Sequence, residues 1–286
     1  MADYTPADLQ DVFIYAMIDE HLKESKHLCQ KRASAIGLPV KLTDAEIIFV
    51  FITACLDHGG NCAKAMGMLK RDGLIKQLLD KSQFNRRLHG LSSVIFEILC
   101  MFSALAKADN SSFAIDSFPV PVCKNIRIQS CRLLKGKAYH GYNASKREYF
   151  YGYKVHLITA ADGRIVEFEF SPGASDERMA FGLLGFDLSA GSEVFADKIY
   201  NCYQAEEVLN EEAQIHFQPI RKANSRKADN TYLLNRLRQR ERRHIETDIS
   251  GLENLFPRTI HAVTAHGFLL KLLGFMIAHH FCFYLY

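Results

Sequence analysis

Two aspartates each follow a short apolar run that has the character of a buried strand. Asp116 comes after the letters FAI in the stretch FAIDSFPVPVCK, and Asp197 comes after the apolar run in SEVFADKIY. A lone carboxylate beside a buried strand costs desolvation free energy unless a partner or a metal ion compensates it. We expect Pro119 and Pro121 to end the first strand, so that each aspartate lies at a strand end. If the two strands are neighbours in one sheet, the carboxylates lie side by side.

A third carboxylate, Glu246, belongs to a helix predicted from Thr231 to Phe256. Apolar residues recur along this helix at helical spacing and form a stripe of Ile245, Ile249, Leu252 and Phe256. Glu246 lies at the edge of that stripe, with Arg242 one turn earlier on the same side. A carboxylate at the edge of a buried helix face can point toward the rim of a sheet. Simple pairing with Arg242 or Arg243 is the alternative.

Three gathered carboxylates suit the chemistry of phosphodiesters. Two Mg²⁺ ions about 4 Å apart activate an attacking oxygen and stabilise a leaving oxygen. Mg²⁺ prefers oxygen ligands and keeps positions for water and phosphate. Asp116, Asp197 and Glu246 are therefore candidate catalytic and metal-binding residues. For each acid alone, the alternatives are a helix cap, a salt bridge or a solvated side chain.

The order of the three acids on strand, strand and helix resembles the DDE transposases of bacterial insertion sequences, which have a ribonuclease H-like catalytic fold. Local motifs resemble the insertion-sequence family numbered 982: IDSFPVPVCK around Asp116, GYKVH at 152–156, SPGASDE at 171–177, ADKIY at 196–200 and RRHIET at 242–247. The stretch SQFNRRL in the N-terminal part resembles that family too. The resemblance covers most of the chain from about residue 40 onward.

This resemblance implies a transposase that cuts DNA at the terminal inverted repeats of an insertion sequence and joins the freed 3′-OH to target DNA. It implies Mg²⁺ as the cofactor, with Mn²⁺ as a substitute, and a homodimer in the synaptic complex. It also implies that Lys154 and His156 lie near the acidic centre and that Asp176 is an accessory residue. An exposed strand face is the alternative for Lys154 and His156.

A further transposase signature, Tyr-Arg-Glu-Lys, is kept in part. Arg242 stands four residues before Glu246, whereas Gln239 holds the usual Tyr position and Glu253 the usual Lys position. The resemblance therefore extends to the Arg and Glu of this helix and not to its two outer positions.

Positive charge is concentrated in two segments of a chain whose net charge is only +3. Residues 124–154 contain eight Lys or Arg against one acidic residue, and residues 221–243 contain nine against two. Such segments indicate a surface for a polyanion, and solvated loops are the alternative. The candidate DNA-binding residues are Arg86, Arg87, Lys154, Arg236, Arg238, Arg240, Arg242 and Arg243.

The elements that must position these residues fall into two parts. Residues 1–108 are predicted to be all-helical, with a capping box at Thr43-x-x-Glu46. Ser82 is the expected N-cap of the helix that carries Arg86 and Arg87. Helices read the DNA major groove well, so we predict a helical DNA-binding region at 1–108.

After residue 110 the predicted order is β, β, β, α, β, α, β and a long helix. An Asp-Gly turn between the second and third strands indicates a hairpin. Three strands before the first helix indicate an antiparallel part of the sheet, and the later β-α-β order indicates a parallel part. The expected fold class is therefore α/β, a mixed sheet with flanking helices that the family resemblance makes ribonuclease H-like. We predict that residues 109–286 form the catalytic domain.

The remaining composition favours a cytoplasmic protein, and the family resemblance implies association with the bacterial nucleoid. The eight cysteines show no Cys-x-x-Cys spacing, so a structural zinc site is not expected, and the N-terminus has no apolar signal segment. Residues 268–286 are strongly apolar. A membrane span needs about 20 such residues; we expect a buried closing helix and no membrane partner, with insertion as the alternative.

Two other functions fit the same residues. One is a metal-dependent nuclease of the same fold that performs no strand transfer. The other is a catalytically inactive DNA-binding protein derived from a transposase. Release of cut ends without joined product would favour the first, and Mg²⁺-independent DNA binding without cleavage would favour the second.

Overall fold

The N-terminal part of the chain is helical in the computed structural model, which describes residues 6–24, 40–144, 146–221 and 232–285. Its helices are α1 (Pro6–Glu24), α2 (Asp44–Asp57), α3 (Cys62–Arg71), α4 (Lys81–Gly90) and α5 (Ser92–Asp109). Helix α2 is buried along nearly its whole length, because apolar residues occupy all of its faces. The helical prediction for this part is confirmed over the described residues.

Two of these helices show how local sequence sets a helix start. The capping box of α2 is confirmed, because the Thr43 hydroxyl accepts from the Glu46 N–H and the Glu46 carboxylate accepts from the Thr43 N–H. The prediction for α4 is wrong by two residues. Asp80 is the N-cap, and its carboxylate accepts from the Ser82 N–H at 2.9 Å, since a carboxylate also stabilises the positive helix end.

The remaining chain builds a mixed α/β unit. Its strands are β1 (Ser112–Cys123), β2 (His140–Asn143), β3 (Glu148–Ala160), β4 (Ile165–Pro172), β5 (Glu193–Ala196) and β6 (His216–Pro219). Helices α6 (Glu177–Phe181), α7 (Tyr203–Glu211) and α8 (Tyr232–Leu255) lie between or after them, and α9 (Ala265–Leu285) follows. The predicted strand and helix order is confirmed, and the four-residue β2 is an addition that the sequence pattern did not indicate.

The strands form one mixed sheet in the order β2-β3-β1-β5-β6, with β4 also pairing with β3. Strand β1 is antiparallel to β3 and parallel to β5, and β5 is parallel to β6. The predicted hairpin joins β3 and β4, and Gly163 of its turn has φ +92°, a conformation that favours glycine. One face of the sheet carries a core that includes Phe113, Ile115, Val194 and Phe217.

The compact units of the chain differ from the predicted domains. Residues 1–101 group with 254–286, and residues 102–253 form the other unit. The predicted catalytic domain at 109–286 had placed the C-terminal segment with the sheet. The segment groups with the helices because α9 is apolar and packs against the equally apolar α2. Gly274 permits this contact, since a Cβ there would lie 2.4 Å from the Phe51 ring.

Helix α9 is long and apolar enough to cross a membrane, and 67% of its most apolar window is buried inside the protein. Helices α4 and α5 pass the same length and composition test only when they are taken as one bent span. Burial of this extent is typical of a core helix. It agrees with the expectation of a buried closing helix.

Candidate active site

The pairing of β1 with β5 brings two sequence-predicted acids together. The parallel register places Ile115 opposite Ala196, and Asp116 and Asp197 are the next residues of the two chains. Neighbouring strands lie about 4.8 Å apart, so the backbones of these two residues are adjacent. Both side chains are half-buried. The structure therefore places the two aspartates side by side at the point where this pairing ends.

The strand period decides which face of the sheet these carboxylates occupy. Ile115 and Ala196 belong to the core cluster on one face, and successive side chains of a strand point to opposite faces. Asp197 keeps an extended backbone, with φ −73° and ψ 168°, so the alternation continues through it. Asp116 and Asp197 consequently point to the face opposite that core.

Asp116 is not at a strand end, contrary to the sequence prediction. Strand β1 continues to Cys123 through both prolines and pairs with β3 over this length. Its pairing with β5 stops at Ile115, so one edge of β1 has no described strand partner beyond that point. Proline is tolerated at such an edge because the missing N–H has no ladder bond to make. Asp116 thus lies where β1 changes from an interior strand to an edge strand.

Glu246 reaches the same region from α8. Ile245, Ile249 and Leu252 are buried along one stripe of this helix, as predicted, and Glu246 is exposed beside it. Glu246 and Asp197 line one open cleft of ≈ 600 Å³. The other residues of the cleft are Lys198, Ile220, Arg236, Gln239 and Arg243. The cleft therefore combines carboxylates with positive charge.

The arginines of α8 divide by helix face. Arg236 and Arg243 line the cleft, and Arg240 is exposed. Arg238 is 8% exposed, and its Nε donates to the Gln218 Oε1 at 3.5 Å, so the predicted DNA contact of Arg238 conflicts with its buried position. The side chain of Arg242 lies outside the described residues.

The second basic segment also supplies a structural ion pair. Arg221 contacts the Glu206 carboxylate, with both side chains less than 9% exposed, and its guanidinium donates to the Asn201 Oδ1 at 3.2 Å. This arginine joins the chain after β6 to α7 and is not an exposed cation. Residues 222–231 of the segment lie outside the described residues.

The two residues of β3 that the family resemblance places near the acidic centre have partners within the protein. Lys154 pairs with Pro119 of β1, and His156 pairs with Ser117. Because alternate residues of a strand share a face, both lie on the face that carries the core residue Ile115. The Lys154 Nζ donates to the Ser175 O at 3.2 Å and to Glu177 at 3.3 Å. Lys154 therefore binds within the protein and does not line the described cleft.

His156 and Asp176 also have local structural partners. The His156 Nε2 lies 2.9 Å from the Ser171 Oγ, and burial, with Lys154 adding, lowers the pKa of His156 to about 4. Its ring is therefore neutral at pH 7. Asp176 is the N-cap of α6, where its carboxylate accepts from the Arg178 N–H at 2.9 Å.

Sequence reasoning missed Tyr200, which interacts electrostatically with both aspartates, and Glu177, which interacts with Tyr200. Tyr200 is buried, and its pKa is raised by burial first and then by the Asp116 carboxylate. The carboxylates of Glu177 and Asp197 add to the rise, so Tyr200 interacts with Glu177 as well as with the two aspartates. Glu177 directly follows Asp176 in the SPGASDE motif, and this neighbouring acid was the available signal.

The acids suit a hard divalent cation although they do not enclose one. Within the described ranges, no group of three His, Cys, Asp or Glu side chains is close enough to hold a metal ion. Mg²⁺ is usually bound through only one or two carboxylates, with water and substrate phosphate completing its octahedron. Adjacent Asp116 and Asp197 supply such a pair, and Glu246 lines the cleft that Asp197 shares.

The helical unit holds the two remaining sequence candidates. Arg86 is exposed on α4. Arg87 donates to the Leu42 O and to the Asp44 Oδ1, the latter at 2.6 Å, so its guanidinium ties α4 to the start of α2. A phosphate contact by Arg87 would have to replace that ion pair.

The family of this chain follows from its sequence. No curated protein matches the chain. One solved structure that it resembles is a piggyBac transposase synaptic complex with hairpin DNA, at 9% identity and a TM-score of 0.48, over 98% of this chain and 74% of that one. The sequence profile described as Transposase DDE domain matches residues 106–262. Because this match spans more than half of the chain, the protein belongs to the family of transposases with a DDE domain.

Proposed function

We propose that this transposase cleaves DNA at the terminal inverted repeats of an insertion sequence and transfers the freed 3′-OH to target DNA. The observation that carries the proposal is the register of β1 and β5, which sets Asp116 beside Asp197. The motif resemblance to the insertion-sequence family numbered 982 supports the choice of element. The antiparallel and parallel parts of the sheet support a ribonuclease H-like fold.

The proposed catalytic and metal-binding residues are Asp116, Asp197 and Glu246, with Mg²⁺ as the cofactor and Mn²⁺ as a substitute. The bound metal would activate the attacking oxygen and neutralise charge on the leaving oxygen. Asp116 and Asp197 would orient it from the sheet, and Glu246 would act from α8. Arg236 and Arg243 lie in the same cleft, where they would hold the DNA phosphates against the carboxylates.

The two compact units would divide the work. Residues 1–101 with 254–286 would recognise the repeat, since exposed Arg86 lies on a helix there and base edges are read by helices in the major groove. Residues 102–253 would carry out the chemistry. A homodimer would hold both ends of the element in the synaptic complex and present the cut ends to the target DNA.

The test is cleavage and joining of a DNA that carries the element end, taken from the sequence flanking the gene. We expect Asp116→Asn, Asp197→Asn and Glu246→Gln each to lower the cleavage rate at least about a hundredfold, which corresponds to ~2.7 kcal/mol of lost transition-state stabilisation. DNA affinity should stay near the wild-type value in each variant. Exposed Asp72 lies outside the cleft, so Asp72→Asn is the matched control and should cleave normally.

The products separate the proposal from its rivals. Full cleavage by any one of the three variants would remove that residue from the centre. Cut ends without any joined product would identify a nuclease. DNA binding by the wild-type chain with no cleavage in Mg²⁺ or Mn²⁺ would identify an inactive DNA-binding protein.

A further inference from the structure

A second cavity lies wholly within the helical unit formed by residues 1–101 and 254–286. Its volume is ≈ 640 Å³, which is in the range of small-molecule sites. Its apolar lining combines core side chains, among them Phe51 and Phe84, with the exposed Val263. Phe51 and Phe84 are almost fully buried, so these walls are rigid parts of the core.

The polar part of this cavity is basic. Lys81, His89, His261 and Lys271 line it, and no Asp or Glu belongs to its described lining. The Lys271 side chain lies beside Gly60, since a Cβ at Gly60 would be 3.8 Å from the Lys271 Cδ. A cavity with apolar walls and only positive charge fits a ligand that has an apolar plane and an anionic group.

The first turn of α9 reinforces the positive side. Thr264 lines the cavity and caps this helix, since its hydroxyl accepts from the Gly267 N–H at 3.0 Å. The N-terminal end of a 21-residue helix carries partial positive charge. A Cβ at Gly267 would lie 3.1 Å from the His89 ring, so glycine keeps the helix start close to that ring.

The histidine and lysine side chains of the cavity differ in charge. Burial lowers the pKa of His89, and His266, whose ring centroid is 5.2 Å away, lowers it further. His89 is therefore neutral at pH 7 and offers a flat ring and a hydrogen-bonding nitrogen. The ammonium groups of Lys81 and Lys271 supply the charge.

We propose that this cavity binds one unpaired nucleotide of DNA, with its base against the His89 ring and Val263 and its phosphate near Lys271, Lys81 and the start of α9. The proposal rests on the proposed function, because end cleavage at staggered positions of the two strands leaves unpaired nucleotides. Bases stack on apolar and aromatic side chains without regard to sequence. A duplex cannot enter a concave pocket unless a base leaves the stack, so the site distinguishes unpaired from paired DNA.

The experiment uses the full chain without divalent metal, so that no cleavage occurs. Two probes are a short duplex with a single-stranded overhang and the same duplex with a blunt end. Dissociation constants are measured by fluorescence anisotropy at several salt concentrations, and 2-aminopurine in the overhang reports the stacking of one base. We expect tighter binding of the overhang and a change in 2-aminopurine emission.

Lys271→Gln and Lys81→Gln should each weaken overhang binding and lower the slope of log affinity against log salt by about 0.7, the value for one single-strand phosphate contact. Binding of the blunt duplex should not change. Lys70→Gln removes the same charge from an exposed position on α3 outside the cavity and should leave both probes unaffected. Thermal unfolding verifies that each variant is folded, and exposed Lys81 keeps the test available if the Lys271 variant is unstable.

Equal binding of both probes by the wild-type chain would overturn the inference, as would an equal effect of Lys70→Gln. Two results separate it from the proposed function. A wild-type chain that cleaves element ends but shows no overhang preference contradicts only the nucleotide site. One that prefers the overhang and never cleaves contradicts only the proposed catalysis.

Discussion

At the scale of single residues, Asp116 and Asp197 form an arrangement that needs compensation. Two neighbouring carboxylates repel each other, so a nearby positive charge stabilises the pair. Positive charge from Arg236 and Arg243 in the cleft, or from a divalent cation, offsets this cost. Burial is the main cause of the raised pKa of Tyr200, and the carboxylates of Asp116, Glu177 and Asp197 add to it.

Another acid of α8 gives a test of stability against pH. Burial raises the pKa of Asp248 to about 6, and the Asp162 carboxylate adds to the rise. The Thr159 hydroxyl, which donates to the Asp248 Oδ2 at 3.0 Å, and His244 act in the opposite direction and lower the pKa. The folded state therefore binds the proton more tightly than the unfolded state. Stability from this group is complete below about pH 4 and is lost as the pH rises to about 6.

Asp248→Asn should remove the loss of folding stability that ionisation of Asp248 causes as the pH rises. We expect the variant to be about 1 kcal/mol more stable than wild type at pH 7.5, after allowance for solvent screening of a group that is not fully buried, and equally stable near pH 4. Denaturant unfolding at both pH values measures this difference. A destabilised Asp248→Asn at pH 7.5 would contradict the assignment.

At the scale of elements, close backbone approaches set the geometry of both units. In the sheet, Gly152 of β3 lies so near β1 that a Cβ would meet the Val120 O at 2.2 Å, beside the register shift at Pro121 and Cys123. In the helical unit, Gly274 lets α9 approach α2 closely. A Cβ there would lie 2.4 Å from the Phe51 ring and 2.9 Å from the Cys55 Sγ. Glycine is required at both positions because any side chain would separate the elements.

Two helix glycines should respond to alanine in opposite ways. Gly274→Ala forces α2 and α9 apart and should destabilise the protein by about 1–3 kcal/mol, as overpacking does. Gly67 of α3 has nothing within 4 Å of an added Cβ, so Gly67→Ala should stabilise by about 0.5–1 kcal/mol through the better helix propensity of alanine. Thermal and denaturant unfolding compare the pair, and equal effects of the same sign would show that packing at Gly274 is looser than described.

At the scale of the whole molecule, the C-terminal segment completes a unit that begins at the other end of the chain. Leu272, Phe275 and Phe281 of α9 are completely buried. The Phe281 ring packs edge-on against Phe13 of α1 at 6.2 Å, and the Phe275 ring lies 5.0 Å from Phe256. The helical unit is therefore discontinuous in sequence, and a fragment that ends near residue 108 lacks part of its core.

A chain that ends at Glu253 tests this organisation. We expect residues 40–101 to lose protection from hydrogen exchange, because the apolar surface of α2 is then exposed to water. Strands β1, β3 and β5 should keep their protection, since their core lies within residues 102–253. Exchange measured by mass spectrometry on the truncated and full chains gives the comparison. Unchanged protection in residues 40–101 would show that the helices do not depend on α9.

The sequence by itself determined most of the elements and the identity of the candidate acids. Hydrophobic periodicity and local hydrogen-bond chemistry act over a few residues, so the capping box at Thr43, the β3–β4 hairpin and the buried stripe around Ile245 were predictable. Asp116 and Asp197 could be chosen because a carboxylate after an apolar run is costly wherever the strand is buried. Their catalytic roles stay predictions.

Only the tertiary structure decided which residues meet. The register of β1 and β5 joins segments far apart in the chain and depends on packing summed over the whole sheet face, which no local pattern encodes. The same packing turns Arg238 inward while Arg243 faces the cleft, and it places Lys154 on the face opposite Asp116. Helix α9 joins the helical unit for a related reason: hydrophobic burial is non-directional, so an apolar segment reveals that it will be buried but not against which partner.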